Sequence, residues 1–299
     1  MKKILFWTLL PLLTACGLTQ EVEIELPEYE PQIVVECYLQ PGQPYLLTLI
    51  ESTSYFDDVR VNYVRDAVVT ITHDGRTDTL SPLEIAFDTP GVGQLIDTAL
   101  LKALTPIFGE SLYFYFSFQP VPASYLTDFD LEVRTPAGEV LRSRTQIMPP
   151  VEQLPLEWKF NDDSLSLVLT RFQDDPARVN YYRRLLQERE RRIVDNPDGS
   201  QDTLWVSDTE QDFTVDDELL NGQMATFGTG FEYRLGDTVI STIYHITADY
   251  YRFVQTRDAA IQASFSPFGQ PAVIYSNIEG GTGIFTGITS STVSVVVGK

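Results

Sequence analysis

The run Leu112-Tyr113-Phe114-Tyr115-Phe116-Ser117-Phe118 decides the fold class. Leu112, Phe114, Phe116 and Phe118 share one face of an extended chain, and Tyr113, Tyr115 and Ser117 share the other. That period of two belongs to a β-strand, and it predicts that the Phe row faces a core. Similar runs lie on either side. Residues 33–39 and 45–50 are β-branched and apolar, and 67–72 alternate before the turn His73-Asp74-Gly75-Arg76. Residues 131–133, the turn Thr135-Pro136-Ala137-Gly138 and 140–144 form a hairpin pattern. A short helix is expected at 97–104, where Ala, Leu and Lys replace β-branched residues.

Short strands between turns predict a β-sandwich over 32–148. Pro149-Pro150, with Pro155 close behind, stiffens the chain and marks a boundary. A second β-rich domain, 151–299, follows. Leu165, Leu167 and Leu169 alternate with Ser166, Val168 and Thr170. Residues 180–194 are ambiguous. Their Arg, Leu, Gln and Glu content suits a helix, yet the turn Asn196-Pro197-Asp198-Gly199 and the strand-like 203–206 favour a long hairpin. Residues 231–246 read as a further hairpin. One helix is clear, near 248–263: Thr247 can cap it, Asp249 lies in its first turn, and Tyr250, Phe253 or Val254, and Ile261 repeat at helical spacing. The expectation is a mainly β protein of two β-sandwich-like domains with one helix.

The amino terminus follows a processing pattern. Lys2 and Lys3 precede an apolar run, 4–13, too short to span a bilayer as a mature helix. It ends in Leu13-Thr14-Ala15-Cys16, which resembles the bacterial lipobox. That resemblance implies a signal peptide at 1–15 and a diacylglyceryl group on the Cys16 thiol. Two or more acyl chains anchor a protein stably, at about 0.8 kcal/mol per buried CH₂. Gly17, rather than Asp, is similar to the sorting pattern of outer-membrane lipoproteins. Residues 16–31 read as a tether, with Glu21, Glu23, Glu25, Pro27 and Pro31. Its acids resemble a surface-export signal, but a solvated acidic linker explains them as well.

The chain has 21 basic and 42 acidic residues, a net charge of −21, which argues against nucleic acid as a partner. With Cys16 acylated, Cys37 has no partner for an internal disulfide, and its apolar run makes it a buried, inert thiol.

The sequence offers several chemical motifs, each with a plainer structural reading. Glu279-Gly280-Gly281-Thr282-Gly283 lacks the Lys and the following helix of a phosphate loop, and reads as a tight turn. Asp195, Asp198, Gly199 and Asp202 suggest calcium, but Pro197 stands where a ligand is needed, and a hairpin turn fits better. Asp216-Asp217-Glu218 could hold a hard cation or be a solvated loop. Only His73 and His245 are present, which excludes zinc sites with several His; no Gly-x-Ser-x-Gly elbow occurs. No metal, cofactor or catalytic residue is expected, although a pair of carboxylates of the glycosidase kind stays open on counting alone.

The carboxyl-terminal third carries a broader likeness. Ile246-Thr247-Ala248-Asp249-Tyr250-Tyr251-Arg252-Phe253, then Gln262, Pro267-Phe268 and Pro271, lead to Tyr275-Ser276-Asn277-Ile278-Glu279-Gly280-Gly281-Thr282-Gly283-Ile284-Phe285. This resembles the closing signature of a Bacteroidota lipoprotein family catalogued as a domain of unknown function (DUF4249). Val34-Val35-Glu36, Ala67-Val68-Val69-Thr70-Ile71 and Gly109 agree in order, and Thr286 departs from a Gly common there. The resemblance implies an immunoglobulin- or transthyretin-like first half and a place at the outer membrane. It also implies association with a TonB-dependent β-barrel transporter of nutrients, and no catalytic residues. Ser276, Asn277, Ile278, Gly280, Gly281, Gly283, Ile284 and Phe285 read as a structural corner: Asn277 can bond nearby backbone, and glycine permits positive φ. The leading expectation is a non-catalytic accessory lipoprotein. A surface hydrolase of glycan or peptide, and a structural or adhesive module, are the alternatives.

Overall fold

Alternating β-branched and aromatic residues build fifteen strands in the computed structural model, which describes residues 29–54, 58, 60–89, 105–162, 164–195, 200–265 and 272–298. The expected signal peptide, the expected lipobox with Cys16, nearly all of the expected tether, the helix expected at 97–104 and the turn expected at 196–199 lie outside these residues. Pro31–Lys299 forms one compact unit.

The first half supplies β1 (Ile33–Leu39), β2 (Pro44–Glu51), β3 (Asn62–Tyr63), β4 (Val68–His73), β5 (Arg76–Ala86), β6 (Ser111–Pro120), β7 (Asp128–Arg134) and β8 (Val140–Gln146). The second half supplies β9 (Glu157–Phe160), β10 (Ser166–Gln173), β11 (Tyr181–Asp195), β12 (Gln201–Asp216), β13 (Met224–Gly228), β14 (Thr238–Ile246), the helix α1 (Ala248–Ser264) and β15 (Thr282–Val296). The large mixed sheet runs β12-β11-β14-β15-β1-β2-β6-β5-β4-β7-β8, with β3 beside β2; β13-β10-β9 form a small second sheet. The arrangement is sandwich-like, and it is not a closed barrel. Two strands serve two neighbours in turn. β5 pairs with β4 through residues 76–80 and with β6 through 81–86. β15 lies parallel to β1 through 282–287, then antiparallel to β14 through 288–296. The chain passes between its halves at Pro149-Pro150, and the sheet continues from one half into the other.

β6 corrects the expected placement of its aromatic rows. Tyr113 and Tyr115 face the core, and Tyr115 is fully buried, whereas Phe118 is 88% exposed. Tyrosine can enter a core when its hydroxyl is satisfied. Tyr115 Oη donates to Val64 O at 2.8 Å and accepts from Ala67 N at 2.9 Å. The Phe row is left on the outer face, where Phe116 and Phe118 meet edge to face at 4.5 Å beside the exposed Leu46.

Residues 181–195 form a strand, not a helix. Tyr182, Arg184 and Leu186 all turn inward, and β12 pairs along the whole length with one bulge at Leu186/Gln187. In α1, Thr247 Oγ1 accepts from Tyr250 N at 3.2 Å, and Tyr250 and Val254 are buried at a spacing of four, while Ile261 is exposed. Among the described residues no helix is long and apolar enough to cross a membrane. Cys37 is fully buried in β1, and burial pushes its thiol up to about 12, so almost no thiolate forms at neutral pH.

Candidate functional site

Strand alternation creates a groove of about 820 Å³ on the outer face of β4, β7 and β8. In β7 Phe129, Leu131 and Val133 turn inward, so Asp130 and Glu132 turn outward; in β8 Leu141, Ser143 and Thr145 turn inward, so Arg142 and Arg144 turn outward. The register sets Glu132 opposite Arg142 and Asp130 opposite Arg144. Their ion pairs measure 3.0 and 2.6 Å, and Arg134 joins Glu132 at 2.7 Å. Thr70, Thr72 and Thr77 complete one wall, with Thr72 and Thr77 hydroxyls 2.9 Å apart.

The two arginines hold the Glu132 carboxyl below the usual carboxylate range. A glycosidase acid needs the reverse, a pKa raised so that the proton stays on. The groove presents paired charges and hydroxyls for hydrogen bonding, and Glu132 in it is held as a carboxylate by its two arginines.

Asn277 and Glu279 form the far edge of this groove. Asn277 acts as a substitute strand for Phe285: its Oδ1 accepts from Phe285 N at 3.0 Å and its Nδ2 donates to Phe285 O at 2.8 Å. Ser276 Oγ accepts from Ile278 N, and Tyr275 Oη donates to Asp249 at the start of α1. Ile278 and Phe285 enter the core of the first half, while Ile284 packs under α1 with Ile246, Tyr250 and Val254. Gly280 and Gly283 have φ of 79° and 112°, and a Cβ on Gly283 would meet Val35 O at 1.9 Å. Gly281 has no room either, because Leu141 and Ile33 close over it. The whole signature thus fastens β15 against β1 and α1.

The acidic run Asp216-Asp217-Glu218 divides. Asp217 is buried and accepts from Asn180 N at 2.7 Å, while Asp216 Oδ1 accepts from Glu218 N. Among the described residues no group of three or more His, Cys, Asp or Glu is placed to hold a metal ion. Of the 195–202 stretch, Asp198 and Gly199 lie outside the described residues. His73 stacks on Phe129 at 3.9 Å in the first half, and His245 is buried in the second, so the two serve separate places.

Sequence reasoning missed two buried polar groups in the second half. In the first, Asn180 Nδ2 lies within 3.2 Å of Asp174 Oδ1, Asp217 Oδ2 and the carbonyls of Asp175 and Arg178. Tyr182 Oη and Gly222 N also donate to Asp174. His245 places Nδ1 2.7 Å from Pro149 O and Nε2 3.1 Å from Asn180 Oδ1. Burial pushes the His245 imidazole below its ordinary pKa, against the pull of the Pro149 carbonyl. The second group surrounds Arg184. An acid near a turn and an arginine within an ambiguous strand give no sequence signal of burial.

A family model described as "Domain of unknown function (DUF4249)" matches residues 19–294. No curated protein matches the chain. Among solved structures, a DUF4785 family protein from Legionella pneumophila aligns at 9% identity over 71% of this chain and 50% of its own, with a TM-score of 0.20. This chain thus spans about half the length of that relative. Dimeric latent PorU from Porphyromonas gingivalis aligns at 12% identity over 87% of this chain and 20% of its own, TM-score 0.21. The Fcho1 Mu homology domain from Danio rerio, solved with a bound Eps15 peptide, aligns at 7% over 87% and 92%, TM-score 0.19. Scores this low carry no inference to this chain. The family match spans nearly the whole sequence, signature included, and the chain belongs to the DUF4249 family.

Proposed function

We propose that this protein is an outer-membrane lipoprotein, held by acyl chains on Cys16, that serves as a non-catalytic accessory to a TonB-dependent β-barrel transporter of nutrients. One observation carries the reading. The β11–β12 hairpin runs past the sheet that supports it: β11 leaves β14 at Arg189↔Thr238, while its pairing with β12 continues to Asp195↔Gln201. Six further residues at about 3.3 Å each make an arm of about 20 Å. The arm exposes Trp205, 53% accessible with Arg189 stacked 4.9 Å from its ring, and Ile193. Exposed tryptophan beside arginine on a projecting element is the composition of a binding hot spot. The lipobox residues Leu13, Thr14 and Ala15 support the anchor, and the paired charges of the groove support binding over proton transfer.

The test is a pull-down of the acylated protein from gently solubilised native membranes, with partners identified by mass. A large β-barrel protein should co-purify, and Trp205→Ala should reduce its recovery at least about tenfold, since hot-spot truncations cost ~2 kcal/mol or more. Isolation as a lone, unacylated monomer would overturn the reading.

A further inference from the structure

The arm ends the large sheet, and its outer edge stands open. β12 is the terminal strand: β11 is its neighbour on one side, and among the described residues no strand lies beside it on the other. Residues 201–209 pair in unbroken register with 195–187 of β11. At about 3.3 Å per residue this straight edge is about 30 Å long. α1 reaches β12 beyond that stretch, where Gln255 Nε2 donates to Thr214 Oγ1 and Tyr251 Oη to Asp216.

An open strand edge offers its backbone to any extended chain, and proteins usually blunt it with lysine, proline, a bulge or a covering helix. Residues 201–209 hold no Lys, Arg or Pro, and the bulge lies past them at Glu210. The whole strand carries the acids Asp202, Asp208, Glu210, Asp212 and Asp216 and no base. Its present neighbour is the opposite. β11 carries Arg183, Arg184, Arg189, Arg191 and Arg192, and Arg183 pairs with Asp212 at 2.6 Å between the two strands. Opposite charges across a strand pair stabilise it, and like charges destabilise it. The β12 edge of a second copy would set acids against acids and is disfavoured. A basic strand would meet on the outer edge the charge that β11 meets on the inner one. The two faces of β12 also differ. Trp205, Ser207 and Thr209 share an exposed face, and Val206 and Asp208 share a half-buried one.

We propose that the outer edge of β12 takes, by strand addition, an extended segment of a partner protein in which basic and apolar residues alternate, the bases beside Asp208 and the apolar side chains beside Trp205. Main-chain hydrogen bonds to the edge supply affinity, and the alternating side chains supply selection. This inference rests on the reading of the arm as the element that meets a partner, and it adds how the arm holds that partner and which sequence it accepts.

The experiment titrates the whole mature protein with a blocked peptide of alternating lysine and valine, about eight residues long. One control replaces lysine by glutamate. The other is the lysine peptide N-methylated at alternate residues, which keeps its charge and loses one hydrogen-bonding edge. The lysine peptide should bind at least about tenfold more tightly than either control. Hydrogen exchange should slow at alternate amides between Trp205 and Thr209, and added salt should weaken the complex. Asp208→Lys combined with Glu210→Lys should abolish the preference for lysine, while unchanged protection of β1 and β2 shows that the variant is folded. Equal binding of either control, unchanged exchange between Trp205 and Thr209, or dimerisation of the chain through this edge overturns the inference. Strand addition without a barrel in the native pull-down defeats the transporter reading alone. A barrel recovered through Trp205 without strand addition defeats this inference alone.

Discussion

The two halves of the chain solve burial differently. The first keeps one continuous apolar core, from Ile33 through Leu47, Val69, Tyr115, Phe129 and Leu141 to Ile147, and borrows Ile278 and Phe285 from the second. The second is broken into small apolar clusters, Leu156-Val168-Leu186-Tyr233-Val239-Val297 and Phe172-Tyr182-Ala225-Ile243, with Arg184 and the Asp174-Asn180-Asp217-His245 network among them. Apolar contact is non-directional, so the first core depends on volume and shape. Hydrogen bonds between buried groups are directional, and losing one partner strands the rest, so the second half depends on particular atoms.

The sharpest test of that contrast is Asn180→Ala. It removes the amide shared by Asp174, Asp217 and His245, while the backbone N–H of residue 180 still bonds Asp217 and Tyr182 Oη and Gly222 N still bond Asp174. It should cost about 1–3 kcal/mol, the scale for leaving buried groups short of a hydrogen bond. Urea denaturation checks it; a loss below about 1 kcal/mol would mean the network is incidental. Leu47→Met, in the first core, should cost under about 1.5 kcal/mol by the same measurement, because it nearly conserves volume. A larger cost there would erase the distinction. The smallest effect is the pH response of the network. The His245 pKa in the folded chain lies below the ordinary 6.5, so the unfolded chain binds the proton first. Stability is therefore full above pH 6.5 and declines as pH falls from there toward the folded value. The decline should be shallow, since a protonated ring gains a donor for Asn180 Oδ1. His245→Asn should flatten it; an unchanged slope in that variant would assign the proton elsewhere.

The same contrast explains what could be read from the sequence. Strands β1, β2, β4 and β7 show plain alternation because one face meets an apolar core. The Thr247 cap and Asp249 mark the start of α1 through local chemistry alone. β6 misleads because Phe is more apolar than Tyr, while the deciding fact is the pair of backbone groups, Val64 O and Ala67 N, that wait for the Tyr115 hydroxyl. Those groups come from a loop some fifty residues earlier, and no local pattern contains them. Arg184, Asn180 and Asp217 are hidden for the same reason. Each looks like a surface residue, and only the strands packed over it turn it inward. The arm is half legible: the hairpin follows from its turn and its strands, but its projection depends on where β14 ends.

The parallel seating of residues 282–287 against 34–39 joins nearly the two ends of the described chain. Contacts so remote in sequence form late, since the loop they close is the costliest in entropy. As the chain emerges from synthesis, β1 must wait with one edge bare until residues 282–287 arrive. An incomplete product would carry that edge open to strand-wise aggregation. Val35 leaves room in its register for nothing bulkier than a hydrogen atom at Gly283, so β15 acts as a proofreader: only a chain that reaches it intact closes the seam.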